Sequence, residues 1–183
     1  FPTSDNPYID PDEIEQARGD LPERVFLQEY MGEFLEDAGS VFRGVMVAAT
    51  ATEQAEAQEG HEYIFGVDWG KSEDFTAIAI YDHSLNEIVH IERFNEIGWT
   101  LQRGRLAALA KRWQPKRIIA ETNAMGDPNV EALRREGLPV RGFQTTAASK
   151  PPLIESLALA FERNEIRIID DPVLVSELQA YTM

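Results

Sequence analysis

The chain has 183 residues, a formal net charge of −15, three histidines and no cysteine. That length holds one good core and at most a small appendage. The absence of cysteine excludes disulfides, thiol nucleophiles and zinc–thiolate sites, and no apolar run of about 18 residues offers a membrane span. His61, His83 and His90 are scattered, so any metal here is a hard, oxygen-ligated one. The start at Phe1, with no basic or apolar leader, reads as a fragment of a longer chain rather than a secretory signal.

In chain order, the first 45 residues read as helical. Asp10 before Pro11, with Glu13 three positions on, is helix-start chemistry. Ile14 and Ala17 form a short apolar stripe, and Gly19 stops the helix. A second helix follows Leu21-Pro22, with Val25, Phe26, Tyr30, Phe34 and Leu35 at helical spacing. Ala48 to Gly60, rich in Ala, Thr, Glu and Gln, reads as a connector.

From His61 the pattern changes to α/β. Strands are expected at Tyr63–Asp68, Phe75–Asp82 and Glu87–Phe94, joined by short turns as an antiparallel meander. A helix capped near Thr100 turns Leu101, Leu106, Leu109, Ala110 and Trp113 inward and Arg103, Arg105, Lys111 and Arg112 outward, and Pro115 ends it. A fourth strand, Arg117–Glu121, precedes a helix near Pro128–Glu136, a strand near Pro139–Phe143 and a helix near Pro151–Asn164. A short strand at Ile166–Ile169 and a helix opened by Asp171-Pro172 complete the chain. Asp170-Asp171 could pass for a carboxylate pair, but Asp171 before Pro172 is what an N-cap looks like. This succession predicts a ribonuclease-H-like mixed sheet of order 3-2-1-4-5, flanked by helices and preceded by a helical segment. The expected division is a connector at 1–60 and a ribonuclease-H-like domain at 61–183.

Two of these apolar runs end on a carboxylate, at Asp68 and, 53 positions later, at Glu121. On adjacent parallel strands they stand side by side at the switch point, where open α/β sheets place their sites. Two carboxylates at that spacing suit Mg²⁺ or a similar ion, which keeps several waters and takes substrate phosphates. A pair of such ions, about 3.5–4 Å apart, hydrolyses phosphodiesters. Asp68 is the candidate bridging ligand and Glu121 the second, while Asp74 acts through a water or as an ordinary turn residue. Asn123, Met125 and Gly126 shape the wall of the site.

The charge is unevenly placed. Residues 1–60 hold fourteen Asp/Glu against Arg18, Arg24 and Arg43, whereas residues 99–150 hold ten Lys/Arg against four acids. A phosphate-binding face therefore remains open over 103–117 and 134–150. Lys71, Arg103, Arg105 and Lys150 are its candidate contacts, although each is also compatible with a plain solvated position.

These residues resemble a known family, the large terminase subunits of tailed bacteriophages, over their C-terminal nuclease domain. Phe65-Gly66-Val67-Asp68-Trp69-Gly70 with Asp74-Phe75-Thr76-Ala77 is similar to the family's first acidic motif. Ile118-Ile119-Ala120-Glu121-Thr122-Asn123-Ala124-Met125-Gly126 is similar to its second. Upstream, Asn6-Pro7-Tyr8-Ile9, the run from Arg24 to Phe34 and Val41-Phe42-Arg43 resemble the segment joining the family's ATPase motor to its nuclease.

The resemblance implies an endonuclease using two Mg²⁺ or Mn²⁺ ions to cut concatemeric viral double-stranded DNA during packaging, with little sequence preference. It implies as partners the terminase ATPase domain of the full-length chain, the portal and the small terminase, in the host cytoplasm and with no membrane. No G-x-x-x-x-G-K-[ST] loop occurs, so the motor is not in this stretch. The family's third acidic motif has no match, and a third catalytic Asp is expected beyond Met183. The competing readings are a Holliday-junction-type resolvase, an actin- or hexokinase-type ATPase fragment and a non-catalytic assembly module.

Overall fold

A computed structural model describes residues 3, 6, 8–32, 40–70, 74–122 and 126–182, the side chains of 126 and 127 excepted. The backbone gathers into two compact units. One comprises Ala49–Ser149 with Ile166–Asp170, and the other Phe1–Ala48 with Lys150–Glu165 and Asp171–Met183.

The first unit is built on a six-stranded sheet. Its strands are β1 (Tyr63–Asp68), β2 (Thr76–Asp82), β3 (Glu87–Phe94), β4 (Arg117–Glu121), β5 (Val140–Phe143) and β6 (Arg167–Ile168), in the order β5-β4-β1-β2-β3-β6. β1, β2 and β3 form the expected antiparallel meander, with a register shift between Ile80 and Tyr81. β4 runs parallel to β1, and β5 parallel to β4. The order 3-2-1-4-5 is therefore as the sequence predicts. The short strand near 168 extends it, pairing parallel with the start of β3 through Glu87–Arg167 and Ile88–Ile168. Gln54 reaches the same margin, its N–H donating to the Val89 carbonyl.

Alternation decides which face is buried. Tyr63, Phe65 and Val67 of β1, Ile78 and Ile80 of β2, Val89 of β3, and Ile118 and Ala120 of β4 form one core with two helices. The long helix Trp99–Trp113 supplies Leu106, Leu109 and Trp113, and the helix Gly126–Arg135 supplies Val130 and Leu133. Trp113 is fully buried and meets the Tyr63 ring edge-on, with centroids 5.0 Å apart.

Helix Trp99–Trp113 departs from expectation in two ways. Its N-cap is Gly98, with no side-chain cap, rather than Thr100. Leu101, expected inward, is 54% exposed, and Gln102 takes the buried place at 3%. The reason is geometric. At about 3.6 residues per turn, 102, 106, 109 and 113 share one stripe, and 101 lies about 100° away from it.

The second unit is helical, with segments at Pro11–Asp20, Glu23–Glu29, Val45–Ala48, Lys150–Glu162 and Pro172–Ala180. Asp10 caps the first, accepting from the Asp12 N–H. Phe26 is buried in the second, while Phe34 and Leu35 lie outside the described residues. Asp171 caps the last, accepting from the Leu174 N–H at 2.8 Å, so it serves as the expected cap. Residues 40–42 are stitched to the end of that helix. The Ser40 hydroxyl donates to the Leu178 carbonyl, Val41 N–H donates to Tyr181 O, and Phe42 packs between Phe161 and Tyr181.

Because Trp113 joins the long helix to β1, Trp113→Ala is expected to destabilise the protein by about 3–5 kcal/mol, read as a lower midpoint in urea unfolding. A loss under 1 kcal/mol would contradict its place at the centre of the packing.

Candidate active site

The parallel pairing of β1 and β4 runs from Ile64–Arg117 to Val67–Ala120. The next residue on each strand is a carboxylate, Asp68 on one and Glu121 on the other. The two carboxyls are close enough to share a proton. Asp68 holds that proton up to about pH 6, against an ordinary value of 3.8. Partial burial of the carboxyl is the largest cause, followed by the hydrogen bond from Glu121 and its charge. The Asp74 charge adds a smaller upward push, and a hydrogen bond from the Trp69 N–H pulls the other way. Two acids this close ionise together only at a cost, unless a cation or a proton separates them.

The same register fixes their neighbours. Asp68 stands opposite Ala77, which stands opposite Arg93, and on the other side Glu121 stands opposite Phe143. One row across the sheet therefore reads Arg93, Ala77, Asp68, Glu121, Phe143. The parallel row behind it reads Ile91, Ala79, Gly66, Ile119, Arg141. Arg93, Gly66, Asp68, Ile119 and Arg141 are all exposed, so this face is open beside the acids. The Arg93 guanidinium lies 3.8 Å from the centre of the Phe75 ring. Arg141 falls within the basic stretch 134–150, whereas Arg93 lies outside both stretches; alternation within the strands, counted from the two carboxylates, puts both on the acids' face.

At the end of β4 the chain stays close to β5. The Thr122 N–H donates to the Phe143 carbonyl at 2.9 Å. Gly142 makes room for Thr122, whose Cγ2 would lie 2.4 Å from any Cβ placed there.

The other candidate residues are more dispersed. Asp74 reaches the pair only as a charge, and no group of three or more ligating side chains gathers among the described residues. Arg103 donates to the buried Asn129 Oδ1 at 2.8 Å, and the Arg105 guanidinium sits 4.8 Å over the Phe94 ring. Lys150 lies 6.0 Å from the Tyr181 ring in the helical unit. Lys71, Asn123 and Met125 lie outside the described residues, as does the side-chain environment of Gly126.

No protein-family model matches the chain. It is 29% identical over 170 residues to the large terminase subunit of Thermus virus P23-45, covering 88% of this chain and 35% of that protein. The chain thus spans about a third of the curated relatives it matches. Its fold is similar to the crystal structure of the large terminase nuclease from thermophilic phage G20c with bound magnesium. There the TM-score is 0.72 and the identity 25%, over 79% of this chain and 81% of that one. The nuclease domain of Thermus phage P74-26 gives a TM-score of 0.67 at 26% identity, over 76% and 77%. The G20c nuclease has also been solved with cobalt and with zinc. With a mixed sheet in ribonuclease-H-like order and two acids at its switch point, the chain is thus similar in sequence and in fold to the nuclease domain of phage large terminase subunits.

Proposed function

We propose that this chain is a metal-dependent endonuclease that cuts double-stranded DNA by phosphodiester hydrolysis during viral genome packaging. The observation that carries the reading is the Asp68–Glu121 pair, held together by strand register and retaining a proton to about pH 6. A pair whose repulsion is relieved by a proton is equally relieved by a divalent cation. Its donors are hard oxygens, which fit Mg²⁺ or Mn²⁺. Two such ions, when bound, supply Lewis-acid stabilisation of the phosphate charge and acidify a water.

Asp68, central on the sheet, and Glu121 on the neighbouring strand would be the residues that hold the ions. Asp74 tunes the field from its turn. The DNA backbone crosses the open face, where Arg93 on β3 and Arg141 on β5 stand on strands to either side of the two acids. Arg103, Arg105, Lys71 and Lys150 are further candidate phosphate contacts. Such contacts give sequence-independent, salt-sensitive affinity. The relatives' greater length supports a setting in which an ATPase motor in the same chain, a portal and a small terminase subunit present the DNA, inside the host cytoplasm. In that setting residues 1–60 are the connector to the motor.

With supercoiled plasmid and Mg²⁺ or Mn²⁺, Asp68→Asn and Glu121→Gln are each expected to slow nicking on the order of 100-fold. Undiminished cleavage by either variant would move the chemistry away from the pair.

The raised Asp68 value also predicts a pH dependence. Below its ordinary value of 3.8 both folded and unfolded chains hold the proton, and the stabilising contribution is fully present. As pH rises through about 6 the folded state must carry both charges, and that contribution is lost. In EDTA, Asp68→Asn should therefore gain stability relative to wild type as pH climbs from about 4.5 to 7.5 in urea unfolding, and adding Mn²⁺ at the upper pH should restore wild type only. A difference that does not change with pH would contradict the shared proton.

Arg141→Ala in a cleavage-dead background should lower the salt dependence of duplex binding by about one phosphate contact. An unchanged slope in fluorescence-anisotropy titrations would remove Arg141 from the DNA path.

A further inference from the structure

We propose that Thr76 and Gln102 are positioning residues, which hold Gly70 from both of its peptide groups and so set where Asp68 stands beside Glu121. The consequence for metal binding rests on the nuclease reading above. The Gly70 N–H donates to Thr76 Oγ1 at 2.8 Å, and the Thr76 hydroxyl donates to Gln102 Oε1 at 2.7 Å. Gln102 Nε2 closes the ring by donating to Gly70 O at 3.1 Å, and its second hydrogen goes to Ile97 O at 3.0 Å. Thr76 is 0% exposed and Gln102 3%. Both amide hydrogens and the oxygen of that carboxamide are used.

A glutamine on the core stripe of an otherwise apolar helix face is costly unless it is bonded in this way. A leucine or methionine would pack there at no such cost, but would leave the Gly70 and Ile97 carbonyls without this donor. Gly70 itself cannot be replaced, since a Cβ there would lie 2.3 Å from the Phe75 carbonyl carbon and 2.4 Å from Asp74 O. The chain leaving β1 is thus pressed onto the start of β2 and clamped to the long helix, only two residues past Asp68. Trp69 alone separates this clamp from the Asp68 carboxylate. Any turn of the Trp69–Gly70 peptide would swing that carboxylate relative to β4. Fully satisfied buried networks of this kind select one arrangement, and partners behind a metal ligand commonly govern affinity by about 10–100-fold.

The test is Mn²⁺ titration calorimetry on wild type, Thr76→Val, Thr76→Ser, Gln102→Met and Val89→Ala, with urea unfolding of each. Thr76→Val and Gln102→Met are expected to bind Mn²⁺ about 10-fold more weakly, while Thr76→Ser, which keeps the hydroxyl, binds as wild type. Val89→Ala, a core truncation on β3, should lose stability yet keep full affinity. Wild-type affinity in Thr76→Val or Gln102→Met, or an equal loss in Val89→Ala, would overturn the positioning role. A wild type that takes up no Mn²⁺ would overturn the nuclease reading and the positioning role with it. The clamp itself is read without any variant from hydrogen exchange. A Gly70 amide as protected as those inside β1 supports it, and one exchanging at an exposed-loop rate overturns it, including where the variants fail to fold.

Discussion

The parallel register between β1 and β4 is the constraint on which the rest of the site depends. A slip of one residue would turn one carboxylate to the opposite face, because side chains alternate along a strand. The register is held by apolar packing on the buried side, where Phe65, Val67, Ile118 and Ala120 meet the long helix. Core energy, spread over many contacts, is thereby used to force together two groups that repel. The elevated Asp68 value is the trace of that conflict, and local strain against global stability is what functional sites commonly show.

β1 is restrained by buried polar groups at both ends, of different kinds. At its start the Tyr63 hydroxyl donates to Gln54 Oε1, and Gln54 reaches toward the fully buried Asp82, which also bonds His61 Nδ1 at 2.6 Å. At its end the Gly70, Thr76 and Gln102 ring does the same work on the chain leaving the sheet. Between them the strand is apolar on its core side. The two polar clusters act as alignment pins, and the apolar residues supply the adhesion.

Much of the sheet was legible because its signals are local. Alternation marks Tyr63 to Asp68 and Arg117 to Glu121, and short turns force the meander, so the strand order and the meeting of the two acids follow. Asp171 was legible as a cap because the Asp-Pro pair states its own geometry. Gln102 was not, since a polar residue on a helix reads as solvent-facing until the stripe of Leu106, Leu109 and Trp113 is projected back one turn. Arg93 stands alone on a strand, outside both basic stretches, while Arg103 and Arg105 on the helix turn to Asn129 and Phe94; which arginines share the acids' face follows only from the strand register. The partners of the N-terminal segment depend on contacts with residues more than a hundred positions away, as in the pairing of Val41 with Tyr181, and no local pattern encodes them.

The margins of the sheet bear on how the protein behaves in concentrated solution. An open sheet presents unpaired peptide groups on its outer strands, a template for stacking against another copy. Here the start of β3 is covered by β6 and by Gln54, from the far end and the near end of the chain. The opposite margin, β5, is only four residues long and carries an exposed arginine. Shortness on one side and a borrowed strand on the other discourage edge-to-edge polymerisation, so the sheet stays a single unit even where copies are crowded together.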